Sequence, residues 1–151
     1  MDETIVKVRK SVKYVRSSPQ RQSTFKLCAE KEKADFKNQL CLDVPIRWNY
    51  TYIMLDKAKK YQKAFERLEE NYLNFLMTIR EEAKEEGNDR HEVAWGMDDV
   101  DWEKIRSFSK FLKIFYDVTL RFSGANYVTS NSFFLELMSI HNTIELEHKK
   151  R

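Results

Sequence analysis

The sequence predicts an all-α protein. It contains only three glycines and two prolines in 151 residues, too few for the tight turns of an all-β chain. Apolar residues recur at helical spacing through most of the chain, and no convincing strand pattern is longer than a few residues. With 42% hydrophobic and 34% charged residues, the chain can bury a core. We expect about five amphipathic helices and one acidic loop.

The first helix is predicted from Ile5 onward, where apolar residues follow one another at helical spacing with basic residues between them. It should end near Ser17, because proline pushes the preceding residue, Ser18, out of the α region. Ser18 can then cap a second helix that has Pro19 at its first position. The second helix carries the apolar residues Phe25, Cys28 and Phe36.

A third helix should begin near Asn49, since Pro45 holds the chain extended before it. Its apolar pattern reaches Ile79, with a break indicated near Asn71. The segment 81–97 is rich in acidic residues, and its apolar residues do not recur at helical spacing, so we expect a mobile loop there.

Two more helices complete the predicted fold. Asp98, Asp99 and Asp101 open the first, because carboxylates accept the unpaired N–H groups of a helix N-terminus, and Gly124 ends it. The last helix begins near Thr129 and runs into a charged tail. Both chain ends look cut rather than finished, so we expect residues 1–151 to be a single piece of a longer architecture.

Charge is distributed unevenly along the chain. Residues 1–65 carry 15 basic against 7 acidic side chains, residues 66–103 carry 4 against 13, and residues 104–151 carry 8 against 4. Between residues 5 and 29 there are seven basic side chains and no acidic one. A one-signed stretch of this kind suits a polyanionic partner. The alternative is a solvated helix face.

Few residues could carry chemistry by themselves. The isolated glycines cannot form a phosphate-binding loop, and Cys28 and Cys41 lack zinc-knuckle spacing, so we expect two free thiols in a reducing compartment. His141, Glu145 and His148 share one side of the last helix, a pattern more typical of an exposed polar face than of a metal site. We predict no cofactor, no resident metal, no small-molecule substrate and no membrane span.

Arg47 and Trp48 form the most informative pair in the sequence. An indole beside a guanidinium, at the beginning of a lysine-rich helix, suits stacking on an unpaired base while neighbouring cations hold phosphates. The alternative is that Trp48 packs into the core and Arg47 reaches outward. The residues alone leave both interpretations open.

The run Leu40–Leu55, LCLDVPIRWNYTYIML, resembles the hAT transposase superfamily, above all the plant sleeper-type members that carry a BED zinc finger. Their typical run is close to LDVPTRWNSTYLML. Ile46 and Tyr50 depart from it, whereas the Arg-Trp pair is kept. The similarity continues in VRKSVKYVRSSPQRQSTF before this run and in KYQKAFERLEE and DWEKIRSFSKFLKIFYDVTLRFSG after it.

The resemblance implies an RNase H-like transposase whose core is interrupted by a long helical insertion, and this chain matches the beginning of that insertion. In the family, two aspartates and a glutamate bind divalent metal for catalysis. The aspartates are expected upstream of this chain and the glutamate downstream. We therefore predict a catalytically incomplete piece that is not an enzyme by itself, acts in the nucleus, and has DNA, a second copy or a full-length transposase as its partner.

The resemblance also gives Arg47 and Trp48 a role, because in the family this pair lies close to the active site and the tryptophan handles a base flipped out at the cleaved end. Extruding a base costs roughly a few kcal/mol, part of which an aromatic ring recovers. Two alternatives from other classes stay open: a helical protein–protein interaction module and a truncated element without function. The predicted DNA contacts are Arg47, Trp48, Lys7, Arg9, Lys10, Lys13, Arg16, Lys57 and Lys60.

Overall fold

The computed structural model of the chain describes residues 3–34, 40–44, 47–85, 96–124 and 130–148. Within these ranges it has seven α-helices, one 3-10 turn and no β-strand, which confirms the predicted all-α class. The chain divides into two compact units, Met1–Ser109 and Lys110–Arg151. In the described ranges, no helix is long and apolar enough to cross a membrane.

Helices α1 (Glu3–Arg16) and α2 (Pro19–Lys31) meet at the predicted junction. Ser18 is extended, with φ −151° and ψ 152°, and its hydroxyl accepts a hydrogen bond from the Arg21 backbone N–H at 3.2 Å. Pro19 takes the first turn of α2, where its missing N–H has no consequence. The predicted cap is confirmed.

Helix α2 ends in a left-handed residue rather than continuing toward Phe36, which lies outside the described residues. Lys33 has φ 55°. Its N–H donates to the carbonyl of Glu30 at 3.0 Å, and the Ala34 N–H donates to the carbonyl of Ala29 at 2.9 Å. This pair of bonds is a Schellman motif, which satisfies the last carbonyls of the helix.

The third predicted helix is divided into shorter ones. Helix α3 (Trp48–Ala58) begins one residue before Asn49 and passes through a 3-10 turn (Lys59–Tyr61) into α4 (Gln62–Asn71). Tyr72 then interrupts the helix, as predicted near Asn71, and α5 (Leu73–Glu85) follows.

The predicted acidic loop is shorter at its beginning than expected. Residues 81–85 form the last part of α5. Glutamate, alanine and lysine are strong helix formers, so their propensity outweighs the missing apolar period. The prediction of a loop was wrong for these five residues, and residues 86–95 lie outside the described ranges.

Helix α6 (Asp99–Gly124) begins at the predicted acidic cap, since Asp98 Oδ1 accepts a hydrogen bond from the Asp101 N–H at 2.7 Å. Helix α7 (Ser130–His148) follows after five undescribed residues. Both elements confirm the order expected from the sequence.

Aromatic rings make up much of the core of the first unit. The Phe65 ring lies 4.7 Å from that of Phe25 and 6.2 Å from that of Trp102, measured between ring centroids. Tyr14 of α1 meets Phe75 of α5 edge to face at 4.8 Å. Burying a large apolar side chain stabilises a fold by about 1.5–3 kcal/mol. These contacts hold α1, α2, α4, α5 and the beginning of α6 together.

Candidate nucleic-acid interface

Two arginines of α1 hold residues 40–44 along the helix. Arg16 Nη1 donates to the carbonyl of Leu40 at 3.2 Å. Arg9, about two turns earlier, grips the Asp43 carboxylate with two bonds, Nε to Oδ1 at 2.7 Å and Nη2 to Oδ2 at 2.5 Å. This two-point geometry is the strongest that arginine makes with a carboxylate.

Asp43 also connects α1 to α3, because its Oδ2 accepts a hydrogen bond from Thr51 Oγ1 at 3.0 Å. The Asp43 side chain is completely buried. Burial alone would raise the pKa of Asp43, but hydrogen bonds from Arg9 and Thr51 together with the charge of Arg9 outweigh it, so the pKa lies below its ordinary value. The hydrogen bond to Asp43 is also the main reason why the pKa of Arg9 is raised. The carboxylate therefore stays ionised at neutral pH.

A tight turn then leads into α3. The Arg47 N–H donates to the carbonyl of Val44 at 2.8 Å, and the Arg47 carbonyl accepts from the Tyr50 N–H at 3.0 Å. Arg47 is extended, with φ −126° and ψ 97°, and its side chain makes no capping hydrogen bond. The backbone thus fixes the beginning of the helix. Pro45 and Ile46 lie outside the described residues.

The Arg-Trp pair lies at the surface. Trp48 is 40% exposed and Tyr50 is 41% exposed. Arg47 is also exposed, and its guanidinium carbon lies 6.0 Å from the centroid of the Tyr50 ring, at the outer limit of a cation–π contact. Trp48 is therefore not a member of the buried core, although more than half of its surface is covered.

Exposed cations continue along the same helix face. Positions 50, 53, 57 and 60 follow one another at spacings of three or four, so they share one side of α3 and its 3-10 turn, whereas Trp48, two residues before Tyr50, lies on another side of the first turn. Lys57 is partly exposed, and the exposed Lys60 pairs with Asp56 at 3.1 Å. From position 47 to position 57 the helix rises about 15 Å. We call Tyr50, Lys57 and Lys60, together with Arg47 and Trp48 at the beginning of the helix, the α3 surface.

Three of the predicted phosphate contacts on α1 turn inward instead. The ammonium of Lys7 lies 2.6 Å from Asp101 Oδ2 and donates to the carbonyl of Gly96 at 3.3 Å. Arg9 is occupied by Asp43, and Lys10 is only 5% exposed. These three side chains are engaged inside the protein, so they are not part of the candidate interface.

The other two predicted contacts on α1 remain at the surface. Lys13 is exposed, with its ammonium 3.7 Å from Glu82 Oε2. Arg16 is exposed although it also bonds to Leu40. Neither is part of the α3 surface.

Tyr50 is a member of this surface that sequence reasoning passed over. It stands where the resembled family usually has serine, three residues after Arg47, so its helical spacing was the signal that could have found it. The roles of Arg9 and Asp43 had no such signal, because 34 residues separate them.

The remaining chemical candidates stay isolated. His141 Nε2 lies 3.4 Å from Glu145 Oε1, with both side chains more than half exposed, and the His148 side chain is not described. The part of the chain that is described contains no group of three or more His, Cys, Asp or Glu residues that could hold a metal ion. Cys28 and Cys41 are free thiols, as predicted.

The helical fold and the sequence run around α3 define the class of this protein, the hAT-like transposases and their derivatives. The chain belongs to the ZBED1 RNase-like helical domain family, whose sequence model matches residues 1–93. The expected resemblance and helical-domain fold are thereby confirmed.

Individual relatives agree with this assignment. The chain is 33% identical over 132 residues to the zinc finger BED domain-containing protein RICESLEEPER 2 of Oryza sativa subsp. japonica. This match covers 87% of this chain and 16% of that relative. It is 30% identical over 142 residues to a Zea mays protein named as an AC transposase. This match covers 94% of this chain and 16% of that relative. The chain thus spans about one sixth of these curated relatives. No solved structure matches it at a comparable level of significance.

Proposed function

We propose that this chain is a DNA-contacting helical domain of an hAT-type transposase or of a protein derived from one, and that the α3 surface is its contact. The observation that carries the proposal is that Trp48 and its neighbour in sequence, Arg47, are both exposed at the beginning of α3. The relatives named as a transposase and as BED zinc finger proteins support the class of partner.

The chemistry of the α3 surface suits DNA that contains an unpaired base. Stacking of a base on an aromatic side chain contributes about 1–3 kcal/mol. Arg47, Lys57 and Lys60 would bind phosphates, which fix position without reading sequence. The Arg9–Asp43–Thr51 contacts support this role, because they hold the beginning of α3 on a rigid base.

We also propose that the chain acts in the nucleus and does not cleave DNA by itself. The resembled family places its two metal-binding aspartates before the matched region and its glutamate after it. Those carboxylates would then lie outside residues 1–151. The chain's own contribution is to bind and position the DNA.

The direct test measures DNA affinity by fluorescence anisotropy. One probe is a duplex with a single unpaired base, and the other is the same duplex fully paired. Trp48→Ala should weaken binding to the first probe by about 5- to 150-fold, which corresponds to the loss of about 1–3 kcal/mol of stacking. Trp48→Phe should restore most of the affinity because it keeps an aromatic ring.

The control variant is Leu27→Ala on α2, whose side chain is 55% exposed and lies outside the α3 surface. It should bind both probes like the unaltered protein. If Trp48→Ala and Leu27→Ala bind the unpaired-base probe equally well, the assignment of the α3 surface is refuted.

A protein-interaction role is a second candidate, favoured by the exposed apolar side chains of α7. Phe134 is 63% exposed, Leu135 69% and Leu146 59%. Apolar groups exposed together in this way mark interaction surfaces. Sedimentation of the protein and of Leu135→Asp tests this role: a self-associating or partner-binding α7 loses the interaction in the variant, whereas a DNA-binding role at α3 is unaffected.

A further inference from the structure

A second concave surface of the first unit lies apart from the residues of the α3 surface. It is a groove of about 880 Å³, a volume within the range of about 300–1,000 Å³ that is typical of ligand sites. One wall is the junction of α1 and α2, and the other is the interruption between α4 and α5. We call it the elbow groove. The lining residues that matter here are Tyr14, Ser17, Arg21, Asn71, Tyr72 and Asn74.

Among the described residues that line the groove, one is a cation, Arg21, and none is an acid. The others have hydroxyl, amide, aromatic or aliphatic side chains. All residues that line the first wall come from the stretch between residues 5 and 29, which contains no acidic residue. A surface of this charge attracts anions and has no carboxylate to repel a phosphate.

Arg21 is held in position within the groove. Its guanidinium carbon lies 4.1 Å from the centroid of the Tyr14 ring, and its Nη1 donates to Ser17 Oγ at 2.7 Å. A guanidinium has five N–H donors, so a group fixed by a ring and one hydroxyl keeps donors for a ligand. A preorganised guanidinium of this kind is well suited to a phosphate.

The opposite wall provides a stacking face and amides. Tyr72 leaves the helical conformation, with φ −130° and ψ 83°, and the residue is 41% exposed. Its position is fixed because its N–H donates to the Leu68 carbonyl at 3.0 Å. Asn71 and Asn74 lie on either side of it and are exposed. An exposed tyrosine flanked by amides suits an unstacked base, whose edges carry donors and acceptors.

We propose that the elbow groove binds a short segment of single-stranded DNA, with a phosphate at Arg21 and a base on Tyr72. This rests on the proposed function, since it assumes that the chain contacts DNA, and it adds a second contact that is specific for unpaired strands. The α3 surface would engage the duplex at an unpaired base, and the elbow groove would hold a displaced strand.

The test uses the full 151-residue chain and a fluorescein-labelled oligo-dT dodecamer, measured beside the fully paired duplex. Tyr72→Ala should weaken dodecamer binding by about 5- to 150-fold and leave duplex binding unchanged. Tyr72→Phe should keep the affinity, because stacking needs the ring and not the hydroxyl. Arg21→Gln should lower the salt dependence of dodecamer binding by a slope of about 0.7, the value for one phosphate contact on a single strand.

The matched control is Met77→Ala on α5, because Met77 is 59% exposed and does not line the groove. Circular dichroism establishes that each variant is folded before it is measured. The control should bind the dodecamer like the unaltered chain.

The outcomes separate this proposal from the proposed function. Equal dodecamer affinity in Tyr72→Ala, Tyr72→Phe and Met77→Ala overturns the groove. Dodecamer binding that is lost only in Trp48→Ala also overturns it, and supports the α3 surface. Binding of the unpaired-base duplex that depends on Trp48, without any dodecamer binding, again overturns the groove alone. Absence of binding to every probe overturns both.

Discussion

Helix α1 and the α3 surface are both rich in cations, but they use them in opposite ways. On α1, Lys7 pairs with Asp101, 94 residues away, and Arg9 pairs with Asp43, 34 residues away. On the α3 surface, Lys60 pairs with Asp56, only four residues earlier, and stays 50% exposed. A basic stretch in a sequence therefore predicts charge but not exposure, because acids from distant parts of the chain can neutralise it.

The internal pairs of α1 still serve the surface indirectly. Arg9 holds Asp43, Asp43 holds Thr51, and Thr51 lies on the first turn of α3, three residues after Trp48. Arg9 thus helps to fix the first turn of α3, the helix that carries Trp48. We therefore expect substitutions in the internal ion pairs of α1 to change stability, and substitutions in the α3 surface to change DNA affinity.

The largest effect is expected from Asp43→Asn. This change leaves Arg9, whose side chain is only 21% exposed, without its anion, and breaking a buried ion pair from one side costs about 3–5 kcal/mol. Urea denaturation followed by circular dichroism measures the loss. The control is Glu30→Gln, which breaks an exposed pair with Lys26 and should cost at most about 1 kcal/mol. Equal, small losses in both variants would show that the α1 cations are not structural.

A smaller effect is expected from removing two cations of the α3 surface. The double variant Lys57→Gln/Lys60→Gln should lower the slope of log affinity against log salt by about 2 on duplex DNA, because each phosphate contact contributes about 0.9. Stability should change by no more than about 0.5 kcal/mol. The single variant Lys26→Gln on α2, whose side chain is 56% exposed, serves as the control. If it lowers the slope as much per residue, binding is not confined to the α3 surface.

Local chemistry made much of the fold predictable. At both caps, Ser18 and Asp98, the side-chain oxygen accepts a hydrogen bond from a backbone N–H only three residues later. Proline, serine and aspartate carry this information in the sequence itself. The end of α5 was missed because its helix is maintained by propensity without an apolar period.

The candidate site was less predictable, for a different reason. Whether Lys7 and Arg9 face solvent depends on where Asp101 and Asp43 lie in the folded chain, and no local pattern encodes that. The exposure of Trp48 likewise depends on a turn closed by the backbone of Val44 and Arg47. The elbow groove joins two junctions about 50 residues apart, so no single segment of the sequence indicates it.

An acid beside the Lys7–Asp101 pair makes the α1 contacts sensitive to pH. Glu69 Oε1 accepts a hydrogen bond from the Met97 N–H at 3.2 Å, and a Cβ on Gly96 would lie 3.1 Å from Oε2, so glycine permits this approach. Burial, with the charges of Glu66 and Asp101, raises the pKa of Glu69 to about 7, although the Met97 N–H and Lys7 act in the opposite direction.

The smallest effect is a change in the pH dependence of stability. Because the pKa of Glu69 is higher in the folded than in the unfolded chain, its contribution is complete below about pH 4.5 and is lost as pH rises to about 7. Between pH 5 and pH 8, Tm should fall by about 2–4 °C more in the unaltered protein than in Glu69→Gln, which cannot ionise. Glu70→Gln, at the exposed neighbouring position, should keep the full fall. The pKa values of Asp43 and Asp101 are lowered, so their contribution to stability is lost only in more acidic solution. They therefore do not change the stability between pH 5 and pH 8. An identical fall in Glu69→Gln and Glu70→Gln would show that the contacts of α1 do not respond to Glu69.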